Sequence, residues 1–349
     1  MLECADCGRT YEDRWRCECG GPLEFAELPL PGGSREVDPR EGLWAFPFLA
    51  VERHVSLGEG FTPLVRAPGW DAAFKLDYVF PTGSFKDRGA ATTLSRAAAL
   101  GVDRVVEDSS GNAGAAIATY AARAGVDCRV FVPDDVKASK RDALERVGAE
   151  VVAVEGDREA VTDACLDAVR AGEGWYASHA WNPAFFEGTA TMAYEIAYQR
   201  GWSVPDAVVL PVGHGTMLLG AHRGFRRLER AGWTDRVPRL LGVQAAGYDP
   251  VARAFGGGSD GRNELADGIR IREPARRDQI VAAIEATGGD CIAVGERVVE
   301  RELSALARAG FDTEPTCAVA PAGLRAYRDR GTLEGADVVV PLSGSGLKR

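Results

Sequence analysis

Lys86 stands in "PTGSFKDRGA", residues 81–90, where a proline and a small-residue turn lead into the first turn of a helix. The chain has five lysines against thirty-six arginines, so a lysine is not its default cation. The positive end of a helix dipole and a partly apolar setting both favour the neutral amine. A neutral amine is a nucleophile suited to Schiff-base formation with a carbonyl. From these ten residues alone, a solvated lysine followed by an Asp–Arg pair is the plainer reading. A second cluster lies at the front of the chain. Cys4 and Cys7 form C-x2-C, and after nine residues Cys17 and Cys19 form C-x-C-G-G. In a reducing compartment four clustered thiolates match tetrahedral zinc, and a segment of about 25 residues has too little core to fold without such a staple. Four cysteines leave no open coordination position, so the expected Zn2+ is structural; a ribbon that has lost its metal is the alternative. Cys128, Cys165, Cys291 and Cys317 stand alone among apolar or small residues, as buried inert thiols do.

Three further stretches end strand-like runs. "SSGNAG" (109–114) offers Ser109 and Ser110 as helix caps, Gly111 for close backbone approach, and Asn112 as a donor and acceptor above the strand end. "PVGHGTMLLG" (211–220) places Gly213, His214 and Gly215 directly before a helix opened by Thr216 and Met217. Stacked amides at a helix N-terminus make a phosphate cradle, although a lone G-x-G is weak and no third glycine completes a dinucleotide fingerprint. "VVVPLSGSGLKR" closes the chain on Ser343, a hydroxyl at the end of an apolar strand. A nucleophilic lysine, a phosphate cradle, an amide and a hydroxyl fit an aldehyde cofactor bearing a phosphate: pyridoxal 5'-phosphate.

The elements that must hold these loops alternate. "RVVED", "CRVFVPDD", "EVVAVEG", "DAVVLPVGHG", "RLLGVQAA", "CIAVGE" and "DVVVPLSG" are short β-rich runs, separated by longer amphipathic ones. Such a rhythm predicts an α/β protein with mostly parallel sheets, whose ligands sit beyond the carboxyl ends of the strands. "ELPLPGGSREVDPREG" (27–42) is rich in proline, glycine and charge and reads as a linker or surface arm.

With 349 residues and 46% hydrophobic content the chain can bury one large or two moderate cores. A net charge of −10 disfavours nucleic acid or an anionic membrane as partner. No run reaches the roughly 18 apolar residues of a membrane span. The N-terminus lacks a basic region and an apolar core, so it does not read as a signal peptide, and the expected location is cytoplasmic.

The sequence resembles the threonine synthase branch of the fold-type II (tryptophan synthase beta-like) pyridoxal-phosphate enzymes over nearly its whole length. "LGEGFTPL" (57–64), "PTGSFKDRG", "SSGNAG", "NPAFFEG", "LADGI" (265–269), "TEPTCA" and "LSGSGLK" appear in family order, behind a four-cysteine ribbon with "CGGPLE". The resemblance implies a zinc ribbon (1–27), a linker or arm (28–42) and a catalytic domain (43–349). That domain would hold two open, mostly parallel-sheet subdomains with the cofactor in the cleft. The smaller would span about 95–178, and the larger 43–94 plus 179–349. Lys86 matches the family's Schiff-base lysine, which also moves protons, and Asn112 matches the asparagine at the cofactor's ring hydroxyl. Gly213, His214, Gly215, Thr216 and Met217 match the phosphate loop, where the family more often has glycine or asparagine at the histidine position. Ser343 matches the residue facing the pyridine nitrogen; a neutral hydroxyl there leaves the ring a weaker electron sink than a carboxylate would. A homodimer is implied.

Threonine synthases act on O-phosphohomoserine, and in "NPAFFEGT" (182–189) Phe185 stands where the family carries a phosphate-holding arginine. Losing a guanidinium removes a bidentate, charge-assisted contact, for which Arg88 or His179 would have to compensate. The leading expectation is threonine formation from O-phosphohomoserine. A threonine or serine ammonia-lyase, or a related β-replacement enzyme, stays open. A non-catalytic cofactor-binding or zinc-ribbon interaction protein is more remote.

Overall fold

The computed structural model describes residues 1–348. In chain order the strands and helices begin with β1 (Leu2–Cys4), β2 (Thr10–Tyr11), β3 (Leu23–Phe25), β4 (Leu64–Ala67), β5 (Ala72–Lys75) and α1 (Lys86–Ala99). Next come β6 (Arg104–Glu107), α2 (Asn112–Ala124), β7 (Asp127–Pro133), α3 (Ala138–Arg146), β8 (Glu150–Val154), α4 (Arg158–Arg170) and β9 (Trp175–Tyr176). After α5 (Pro183–Gln199) follow β10 (Ala207–Pro211), α6 (Thr216–Arg230), β11 (Arg239–Ala245), α7 (Pro250–Ala254) and α8 (Arg277–Ala286). The chain closes with β12 (Asp290–Val294), α9 (Glu296–Arg308), α10 (Pro315–Asp329) and β13 (Val338–Pro341). These elements form two compact units. The first comprises Met1–Pro29, Val37–Gly60 and Lys86–Gly188; the second comprises Leu30–Glu36, Phe61–Phe85 and the chain from Thr189 on. The smaller subdomain expected at about 95–178 lies inside the 86–188 run of the first unit.

The first unit carries a four-stranded sheet in the order β8-β7-β6-β9, parallel throughout. Its strands are short apolar runs, and parallel strands buried on both faces need that composition. Val105 and Val130 of the sheet join Ala116, Ile117, Tyr120 and Leu94 of the helices in one core. Helix α1 is rich in alanine, with Asp87 in its first turn and Arg96 in its last, as the dipole prefers. Helix α2 ends on Gly125 at φ +69°, whose N–H reaches back to Ala121 and Ala122, the left-handed cap that glycine adopts most cheaply. The four-cysteine segment adds a separate antiparallel sheet, β2-β1-β3, over a small core of Leu2, Cys4, Cys17 and Leu23.

The second unit is built on a six-stranded sheet in the order β12-β11-β10-β13-β5-β4, parallel except for the β4–β5 pair. Helix α10 lies on the apolar core beneath it, with Cys317, Val319 and Leu324 against Leu241, Val243 and Val340. The polar "TPL" that follows Gly60 and Phe61 is fixed here: Thr62 Oγ1 donates to Asp77 (2.7 Å). The buried Lys75 ammonium pairs with Glu195 at 2.6 Å. Residues 30–36 also belong to this unit, where the Trp233 indole donates to the Gly32 carbonyl (3.0 Å).

Candidate active site

In the first unit the chemistry gathers at the carboxyl ends of β6 and β9 and at the N-termini of α1, α2 and α5. Lys86 is the first residue of α1 and is half-buried. Its Nζ lies 6.0 Å from the centroid of the Phe185 ring, in the first turn of α5. That ring is fully buried against Gly89, where an added Cβ would fall 2.3 Å from it, so the glycine is what admits the aromatic. Asp87 is buried beside the Tyr120 hydroxyl, which donates to Glu59 at 3.1 Å; burial, then Asp87, holds that phenol protonated. Glu59 of "LGEGFTPL" also accepts from the Trp44 indole (2.8 Å) and the Leu57 amide (2.6 Å), so the motif braces the turn of the chain rather than reaching a ligand.

Asn112 opens α2, but the expected serine caps do not form. The cap residue is Gly111, which has no side chain, and Ser109 Oγ accepts from the Gly111 amide (3.3 Å). The loop packs closely on the helix: an added Cβ on Gly114 would fall 1.7 Å from the Ser109 carbonyl oxygen, which only glycine allows. Sequence reasoning also missed the last residue of β6. Glu107 is wholly buried with Oε1 2.8 Å from Nδ1 of His179, which follows β9. Burial, and then the neighbouring Asp108, pushes its carboxyl well above the usual carboxylate range. The only signal was two acids, "ED", running directly into "SSGNAG". His179, expected as a stand-in for the missing arginine, is thus bound to a carboxylate, and Arg88 is fully buried.

In the second unit β10 runs through Val212 into Gly213, His214 and Gly215, and α6 begins at Thr216. Gly215 sits at φ +74°, and an added Cβ would fall 2.4 Å from Ile280 Cδ1; one on Gly213 would meet Ile269 at 3.1 Å. Thr216 and Met217, both buried, open a 15-residue helix whose cap residue, Gly215, has no side chain. The positive end of such a helix suits an anion. Ser343 lies just past β13. Its amide donates to Cys317 Sγ (3.2 Å) and its carbonyl accepts from the Phe85 amide (3.0 Å), while its buried Oγ has no hydrogen-bond partner among the described residues. A hydroxyl held by its backbone on both sides and left without a partner fits one that meets a ligand atom. The Cys317 thiol is pushed up to about 12 by burial and stays protonated.

The four N-terminal sulfurs lie within 4.8 Å of one another, with Cys4–Cys19 and Cys7–Cys17 each at 3.5 Å. Tetrahedral zinc with Zn–S bonds of about 2.3 Å sets its sulfurs roughly 3.8 Å apart, so the cluster fits the ion.

A family model described as "Pyridoxal-phosphate dependent enzyme" matches residues 55–344. The threonine synthase of Methanocaldococcus jannaschii is 34% identical over 379 residues, covering 100% of this chain and 93% of that protein. The threonine synthase of Synechocystis sp. is 36% identical, covering 86% of this chain and 81% of the relative. Among solved structures, maize serine racemase superposes with a TM-score of 0.71 at 19% identity, over 82% of this chain and 88% of that one. The processed threonine deaminase isoform 2 of Solanum lycopersicum gives 0.69 at 20%, over 92% and 89%. At those identities the two structures speak for the fold, which is fold type II. The chain belongs to the pyridoxal-phosphate-dependent enzyme family, in its threonine synthase branch.

Proposed function

We propose that this protein is a threonine synthase, converting O-phosphohomoserine and water to threonine and phosphate. The end-to-end likeness to threonine synthases, covering all of this chain, carries the reading. When bound, pyridoxal phosphate supplies an aldehyde that captures amines and a conjugated ring that accepts electron density from the substrate's α-carbon. Lys86 would hold that aldehyde as a Schiff base. The same side chain would serve as the base that takes the substrate's α-proton and as the acid that returns protons later. Asn112 would bond the ring hydroxyl, and the backbone of Gly213, His214, Gly215, Thr216 and Met217 the phosphate. Ser343 would meet the pyridine nitrogen with its unpartnered hydroxyl, which leaves that nitrogen unprotonated. Cys4, Cys7, Cys17 and Cys19 would hold one structural Zn2+. Thiolate ligands need a reducing compartment, which supports a cytoplasmic location.

The test supplies O-phosphohomoserine to protein loaded with pyridoxal phosphate. Phosphate and threonine appearing in equal amounts support the reading. Phe185 favours a second one: a fully buried aromatic beside Lys86 cannot pair a phosphate dianion, but it suits an uncharged hydroxy amino acid. Ammonia and 2-oxobutanoate from threonine, with no phosphate release from O-phosphohomoserine, would make the protein an ammonia-lyase instead.

A further inference from the structure

Nine residues separate Cys7 from Cys17, and this loop of the ribbon is docked rather than loose. Asp13 accepts from Arg96 in the last turn of α1 and from the Trp175 indole of β9, both at 2.7 Å. Trp15 stands edge-on to Tyr176, centroids 5.4 Å apart, and edge-on to Trp181 at 5.7 Å. The Arg16 guanidinium lies 4.7 Å from the Trp181 ring centroid. Two consecutive ribbon residues therefore hold Trp181, and the second of them adjoins Cys17.

Trp181 precedes the residue that shapes the start of α5. Asn182 is buried, and its amide donates to the Ser178 carbonyl at 2.9 Å. Its side-chain oxygen accepts from the Ala184 amide (3.0 Å), and its carbonyl accepts from the Phe185 amide (3.1 Å). Those bonds fix the turn that sends the Phe185 ring into the notch left by Gly89, with its centroid 6.0 Å from Lys86 Nζ. The packing between loop and turn is incomplete. A cavity of about 130 Å³ remains there, lined in part by Trp15, Tyr176, Asn182 and Pro183. Removing the Trp15 ring would enlarge that space and give Trp181 and Asn182 room to shift.

We propose that Trp15 is a positioning residue for the site around Lys86, acting through Trp181 and Asn182 on Phe185, with Zn2+ on the four cysteines keeping Trp15 in place. The ribbon's own core is four buried side chains, too few to fix a nine-residue loop, whereas its sulfurs fit a tetrahedral ion. In so small a segment metal binding is folding. Zinc occupancy thus reaches the aromatic wall beside Lys86 through contacts made wholly within the first unit. The part of the inference that concerns substrate rests on the reading of Lys86 as the covalent lysine; the part that concerns the start of α5 does not.

The experiment is hydrogen exchange of the whole protein loaded with pyridoxal phosphate, read by peptide mass spectrometry. Trp15→Ala should speed exchange in peptides covering 182–186 about fivefold, the worth of one aromatic contact, and leave β10 and β11 unchanged. Trp15→Phe keeps an aromatic edge for both neighbours and should restore wild-type exchange. Stripping zinc with a chelator should reproduce the Trp15→Ala pattern, and added Zn2+ should reverse it. For whichever substrate turns over, KM in Trp15→Ala should rise about fivefold while kcat and the cofactor band persist. Exchange that quickens in residues 1–29 alone overturns the proposal, since the loop would then support only the ribbon. A response to Trp15→Ala but not to the chelator defeats the metal's part, and quickened exchange with KM unmoved defeats the reach to the site. If Trp15→Ala does not fold, the exposed change Arg16→Ala decides. Lys86→Ala separates the readings: adduct still trapped by borohydride in that variant defeats the assignment of Lys86 and leaves the exchange result standing.

Discussion

Ser343 makes a specific demand on its surroundings, because its buried hydroxyl has no hydrogen-bond partner among the described residues, which costs stability. Ser343→Ala should therefore act in opposite directions on the two forms of the protein. Without cofactor the variant should melt at or above the wild-type temperature; with it, affinity for pyridoxal phosphate should fall about fivefold, the worth of one hydrogen bond. Calorimetric scans and a cofactor titration check both halves. Lys86→Ala should abolish the visible absorption band and nearly all turnover, with circular dichroism unchanged. Lys86 and Ser343 stood out in the sequence as candidates because each lies inside a contiguous, unusual string. The Glu107–His179 contact was not, since its partners are far apart in sequence and meet only because β6 and β9 are parallel neighbours. Nor was the choice of Gly111, rather than a serine, as the cap residue of α2.

Helix α6 needs its glycine entry for two separate reasons, a left-handed backbone and contact with Ile280. Gly215→Ala adds about 1 kcal/mol of backbone strain and pushes on that side chain, displacing the first-turn amides. Affinity for pyridoxal phosphate should drop by at least about tenfold while the remainder of the fold persists, as read by equilibrium dialysis and thermal melting. The ribbon is anchored on the first unit through Asp13, which accepts from Arg96 (2.7 Å) and from the Trp175 indole (2.7 Å), and through Trp15, edge-on to Tyr176 and Trp181. Elemental analysis should find about one zinc per chain, and Cys17→Ser should lose it while keeping the cofactor spectrum. Cofactor loss along with zinc would show that these anchors also hold the cofactor's own residues. The main parallel strands were legible as apolar runs bounded by turns. Strands β4, β5 and β9 were not: "LVRA" and "AAFK" lack the unbroken valine-rich run of β6 and β13, and β9 has only two residues.

At the scale of the whole molecule, 51 acidic against 41 basic side chains leave an acidic protein. No described helix is long and apolar enough to cross a membrane. The expectation of a homodimer is tested by light scattering, which should return about twice the 37.2 kDa chain mass; a monomer at working concentration would end it. The two units interleave along the chain, which no compositional boundary announced; the proline- and glycine-rich arm that looked like a linker divides between them. The six-stranded sheet also ties down the turn that leads into α1. Strand β13 lies inside it, bonded to β10 on one side and to β5 on the other, with Val339 opposite Ala73. Beyond it Ser345 donates to Gly83, and Ser343 accepts from Phe85, in the turn that delivers Lys86. The turn that leads into Lys86 is therefore held by pairing with a stretch remote from it in sequence, so loosening β13 should loosen that turn as well.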